Sequence, residues 1–119
     1  MTLRQKQSVF ALNVSKLIAF AYQQGYELTL GEVLRTEAQQ MIYVNMGRSK
    51  TVNSKHLQKL AIDLNLFKDG KILTMPAEYK PLGEYWVTLN TENRWGGDWD
   101  KDSDLNDETF PDPGHFEMT

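Results

Sequence analysis

The chain has two histidines and no cysteine, and both histidines stand close in sequence to aspartates. His56 opens a segment that reaches Asp63, and His115 closes the run Asp112-Pro113-Gly114-His115. A neutral imidazole nitrogen is the commonest protein ligand for a metal near pH 7. His56, His115 and Asp63 together would leave one position of a tetrahedral zinc open for water, as hydrolytic zinc sites do. Asp112 would then reach that water without being a ligand. Against this, His-x6-Asp is a weak pattern, and such residues also occur as unrelated surface or core side chains. On spacing alone both readings stand.

The 119 residues suit a single domain, 1–119, large enough to bury a core without staples. The lack of cysteine excludes disulfides, thiolate metal sites and a cysteine nucleophile, and leaves His and carboxylate as the strong ligands. A net charge of −3 offers no basis for a nucleic-acid partner. The acid is concentrated after residue 97, whereas residues 1–60 carry a modest basic surplus. The most apolar stretch, near Lys16-Leu17-Ile18-Ala19-Phe20-Ala21, is too short and too polar to cross a bilayer, so no membrane insertion is expected. The first residues lack a signal-peptide layout. The expectation is a monomer made in the cytoplasm.

The elements that must position these residues follow from periodicity. Phe10, Val14, Leu17, Ile18 and Ala21 form one stripe, which predicts a helix over 3–24, capped by Thr2 and ended by Gly25, lying over a sheet. Residues 26–34 alternate as a strand, with Arg35 at its end and Thr36 capping a helix that runs to Asn45 or Met46 and stops at Gly47. Arg48 to Lys55 reads as a polar loop. In the strand 60–67, Leu60, Ile62, Leu64 and Leu66 share one face, which turns Asp63 the other way. Aspartate is a poor strand former, so its place there asks for a reason: ligation or a solvent-facing position. Asp69-Gly70 marks a hairpin into a strand over 72–75, and a helix follows over 77–90, weakened by Gly83. Gly96 and Gly97 suggest close backbone approach between Trp95 and Trp99. A last short strand, 110–118, carries Asp112, His115 and Glu117. The fold class is α+β: helices on a small, mainly antiparallel sheet, with zinc held on its open face.

Taken in order, Ser54-x-His56-x4-Ala61-x-Asp63, Trp95-Gly96-Gly97 and Asp112-x-x-His115-Phe116-Glu117 resemble the zinc peptidases of peptidoglycan. That family includes D-alanyl-D-alanine carboxypeptidases and L-alanyl-D-glutamate endopeptidases, the latter often phage endolysins. Arg35-Thr36, a glutamine at 39 or 40, Tyr43 and Gly47-Arg48 resemble its upstream motif. The resemblance implies zinc ligands His56, Asp63 and His115, and a catalytic carboxylate at Asp112. It implies an Arg35 that polarises the substrate carbonyl, a Ser54 that supports substrate or ligand geometry, and a Glu117 that steadies a ligand ring. One departure is Lys59, where the family usually has glycine, so the backbone there is expected to differ.

The implied activity is zinc-dependent cleavage of the peptidoglycan stem peptide, between L-alanine and D-glutamate, by a phage lysis enzyme acting on the host wall. A D,D-carboxypeptidase of the same family and a non-enzymatic wall-binding module are the alternatives. Asp100-x-Asp102-x-Asp104, with Glu108 nearby, resembles the start of a calcium loop, but Leu105 stands where such loops have glycine. A solvated acidic loop is the other reading of that run.

Overall fold

The computed structural model describes residues 1–47, 54–102, 104–107 and 111–119. The expected polar loop therefore falls mostly outside the described residues, as do Arg48, Glu108 and Phe110. Among the described residues, helices α1 (Leu3–Gln23), α2 (Glu37–Asn45) and α3 (Pro76–Leu89) accompany strands β1 (Glu27–Leu30), β2 (Ala61–Lys68), β3 (Lys71–Ile72), β4 (Asn93–Trp95) and β5 (His115–Met118). All recorded strand pairs are antiparallel, in the order β1-β2-β5-β4, with β3 folded back on β2.

Local chemistry explains the boundaries. Thr2 and Gln5 form a reciprocal capping box at the start of α1, and Gly25 follows its end at φ +88°. Asp69 and Gly70, both at positive φ, make the two-residue turn between the paired Lys68 and Lys71. Pro76 opens α3, where its missing N–H costs nothing. Gly83 sits inside α3 because a Cβ there would lie 2.1 Å from the Trp95 indole. The close approach sets the residue, and the helix survives it.

Three expectations need correction. The strand over 26–34 is only Glu27–Leu30, because Gly31 and Glu32 both bond to the single residue Asp63. Gly31 N donates to Asp63 O at 2.7 Å, and Asp63 N donates to Glu32 O at 2.9 Å. Two residues opposite one is the pattern of a bulge, which ends regular pairing. The strand over 72–75 is reduced to Lys71–Ile72, since Thr74 and Met75 give their N–H groups to the Glu78 carboxylate. The expected strand over 110–118 begins only at His115. Asn93–Trp95, given no element from sequence, is the edge strand beside β5.

The core lies on one face of the sheet. Ile62, Leu64 and Leu66 of β2, and Phe116 and Met118 of β5, meet Phe10 and Leu17 of α1 and Leu82 and Trp86 of α3. Trp86 is fully buried, edge-on to both Phe10 and Phe116, and its indole N–H reaches the carbonyls of Arg94 and Glu117. Its truncation to alanine would cost about 3–5 kcal/mol. Successive strand residues point to opposite faces, and paired residues share a face. Asp63 pairs with His115, and Glu117 with Arg94, so all four project away from α1 and α3.

Candidate metal centre

Each site residue is fixed by its element. His56 lies in a 3₁₀ turn, Lys55–Gln58, whose start is held by Ser54 Oγ accepting the His56 N–H at 3.2 Å. Lys59 closes that turn at φ 56°, ψ 38°, the left-handed conformation that favours glycine. The lysine therefore holds a backbone conformation that is open to glycine at this position. Gly96 is needed for a different contact from the one anticipated: a Cβ would lie 2.1 Å from the Asp112 carbonyl oxygen. A Cβ on Gly97 would strike the Trp95 ring, so at that glycine the backbone does approach an indole closely.

The structure brings His56, Asp63 and His115 together, with one ligand atom from each within 4.8 Å of the others. Asp63 Oδ1 lies 3.2 Å from His56 Nε2 and 3.3 Å from His115 Nδ1. The far nitrogen of each ring is already engaged. His56 Nδ1 is 3.1 Å from the Val33 carbonyl, to which it can donate, and His115 Nε2 is 2.7 Å from Glu117 Oε1. With a metal in place, these partners would take the one proton of each neutral ring and leave His56 Nε2 and His115 Nδ1 as the ligating nitrogens. Two nitrogens and one carboxylate oxygen, buried or half-buried and converging, are a donor set that suits a divalent metal.

The electrostatics of the cluster set burial against close, oppositely charged partners. Burial would raise Asp63, yet hydrogen bonds from His115 and His56 and their charge hold it far below the usual carboxylate range. Burial would lower His115, but its bonds to Asp63 and Glu117 overcome this and hold it at about 9. Glu117 is likewise held low, against its burial, by His115 and Arg94. Desolvation pushes Asp112 up, and the nearby charge of His115 only partly opposes it. The Asp112 carboxylate is 4.0 Å from His115 Nδ1 and open to solvent on its other side.

Arg35 is drawn to the same place. Its Nη2 lies 3.7 Å from Asp63 Oδ2 and 3.2 Å from Glu32 Oε1, and its Nη1 donates to Gln40 Oε1 at 2.7 Å. Its guanidinium covers the Tyr43 ring at 4.6 Å. Of the two glutamines considered, Gln40 is the partner. Sequence reasoning passed over Glu32, which also accepts from the Tyr43 hydroxyl, and over Arg94 and Trp99 around His115. A basic residue 23 positions from an acidic one carries no local signal; only the pairing of β4 with β5 reveals it. In the acidic loop the carboxylates that come together are those of Asp98, Asp100 and Asp102. Among the described residues Asp104 is not part of that group, which corrects the expected set of Asp100, Asp102 and Asp104.

A family model described as phage L-alanyl-D-glutamate peptidase matches residues 6–119. The chain belongs to this family. A relative in it, the L-alanyl-D-glutamate peptidase of Listeria phage A118, is 36% identical over 88 residues, which are 71% of this chain and 30% of the relative. The chain thus spans under a third of that relative's length. Among solved structures, the Serratia marcescens L-Ala D-Glu endopeptidase ChiX matches with a TM-score of 0.65 at 26% identity, over 87% of this chain and 75% of that one. A mutant of the vancomycin resistance D,D-pentapeptidase VanY, in complex with Zn(II), matches with a TM-score of 0.59 over 92% of this chain and 70% of its own. At 19% identity that likeness is one of fold. The family's α+β architecture, with a small antiparallel sheet, is the architecture seen here.

Proposed function

We propose that this chain is a zinc-dependent peptidoglycan hydrolase, an endopeptidase that cuts the stem peptide between L-alanine and D-glutamate during phage lysis. The observation that carries the reading is the convergence of His56, Asp63 and His115, with both rings oriented from behind. Membership of the phage peptidase family and the name of the ChiX neighbour support the bond chosen. The donor set itself, two imidazoles and a carboxylate, supports zinc as the metal. The chain acts as a monomer on the host wall, with its substrate as its partner and no membrane insertion. Among the described residues no helix is long and apolar enough to cross a membrane.

His56, Asp63 and His115 would hold the zinc, which supplies Lewis acidity toward a water and toward the peptide carbonyl. Asp112, on the open side of the cluster, takes the proton from the attacking water and returns it to the leaving amine. Arg35, braced by Glu32 and Gln40, keeps a fixed positive charge near the oxyanion that develops on the carbonyl. Ser54 acts from behind by holding the turn that presents His56. A calcium ion, if bound by this protein, would sit at Asp98, Asp100 and Asp102 and order the approach to Asp112; activity unchanged across a calcium titration would remove it.

The deciding experiment is digestion of purified peptidoglycan with and without a zinc chelator, with the new amino termini identified. New D-glutamate amino termini, lost with the chelator and restored by zinc, are expected. Release of D-alanine alone would make the protein a D,D-carboxypeptidase, and no digestion at all would leave a binding module.

A further inference from the structure

We propose that Arg94 is a positioning residue for the metal ligand His115, acting through Glu117. The inference rests on the metal-site reading above. Arg94 and Glu117 are cross-strand partners on β4 and β5. Glu117 divides its two oxygens: Oε1 lies 2.7 Å from His115 Nε2, while Oε2 accepts from Arg94 Nη2 at 2.7 Å and Nε at 3.1 Å. The Glu117 side chain is only 6% exposed. A buried carboxylate needs a fixed charged partner, and the planar guanidinium holds one oxygen through two converging donors.

Arg94 is restrained on its other side as well. Its guanidinium covers the Trp99 ring at 5.1 Å, and that ring lies 5.3 Å from the His115 ring. Arginine, indole, imidazole and carboxylate thus close a loop around one ligand. Once Nδ1 of His115 is given to a metal, the ring holds a single proton, on Nε2, and donates it to Glu117. Arg94 is then the side-chain cation that the described structure places against Glu117. By pinning Oε2 it stops the carboxylate from turning, so Oε1 stays aimed at Nε2. The alternative is that this ion pair merely ties β4 to β5.

Zinc affinity, measured by competition with a chromophoric chelator, separates the two. The proteins are wild type, Arg94→Lys, Arg94→Gln, Glu117→Gln and the Arg94→Gln/Glu117→Gln double variant, each checked for folding by circular dichroism. Glu117→Gln is expected to weaken zinc binding about 10–100-fold, as loss of such partners does. Arg94→Gln is expected to weaken it about tenfold, Arg94→Lys by less, and the double variant no more than Glu117→Gln alone. Unchanged zinc affinity in Arg94→Gln, or losses that add in the double variant, would overturn the proposal. If Arg94→Gln does not fold, Arg94→Lys decides: wild-type affinity there refutes it. A wild-type protein that binds no zinc, with His56→Ala making no difference, sinks the metal-site reading itself, an outcome distinct from the others.

Discussion

Replacing Lys59 by glycine should make the protein more stable, although the change removes an entire side chain. Lys59 is exposed and held at φ 56°, ψ 38° at the end of the turn carrying His56. An L-residue in that conformation is strained by about 1–2 kcal/mol, because its Cβ crowds the following carbonyl. Glycine removes the strain but enlarges the unfolded ensemble, which costs about 0.4–1 kcal/mol. The net expectation is a gain of roughly 0.5–1 kcal/mol, which for a chain of this size raises the melting temperature by about 2–4 °C. Thermal unfolding of the metal-free protein by circular dichroism measures it. Lys59→Ala is the control, since alanine keeps the Cβ and so the strain. If alanine stabilises as much as glycine, removal of the charge or the long side chain is responsible, and the conformational explanation fails. A glycine variant that melts below wild type would refute it outright.

Metal-free protein should lose stability on both sides of neutrality, as chemical unfolding across pH would show. Asp63 and Glu117 have folded pKa values below their unfolded ones, so their contribution is present above about pH 4 and disappears on acidification. His115, raised to about 9, contributes fully below about pH 6.5 and loses its contribution as pH climbs through 9. Asp112→Asn should retain zinc and the fold while peptidoglycan digestion falls about 10²–10⁴-fold; activity near wild type would move the proton-transfer role elsewhere. Gly83→Ala should destabilise by about 1–3 kcal/mol or more in a denaturant titration, because the added methyl overlaps the Trp95 ring.

What could be read from the residues was what local rules govern. Thr2, Thr36, Asp69-Gly70 and the stripe from Phe10 to Ala21 gave two helix starts, the hairpin and the face of α1, because caps, turns and periodicity act within a few positions. Asp63 was noticed because an aspartate in the middle of a strand violates local preference, and the structure places it between two imidazoles. The misses are tertiary. Leu30 ends β1 because Gly31 and Glu32 share Asp63; Gly31 is a local hint of such a bulge, but its partner lies 32 residues on. Asn93–Trp95 is a strand by virtue of β5 lying beside it, and Asn13 is buried on α1 among apolar neighbours. The pairing of Arg94 with Glu117 bridges residues far apart in the chain, so no window of sequence contains it.

β5 is only four residues long, yet His115 and Glu117 alternate there with Phe116 and Met118. One inserted or deleted residue within it would exchange the two sets, sending imidazole and carboxylate into the apolar interior and benzyl and thioether groups into water. No compensating substitution at a single position could undo that exchange. Length variation among relatives should therefore be absent from this strand and confined to the loops before it, and a relative that breaks this rule should have lost both its cation and its hydrophobic seal.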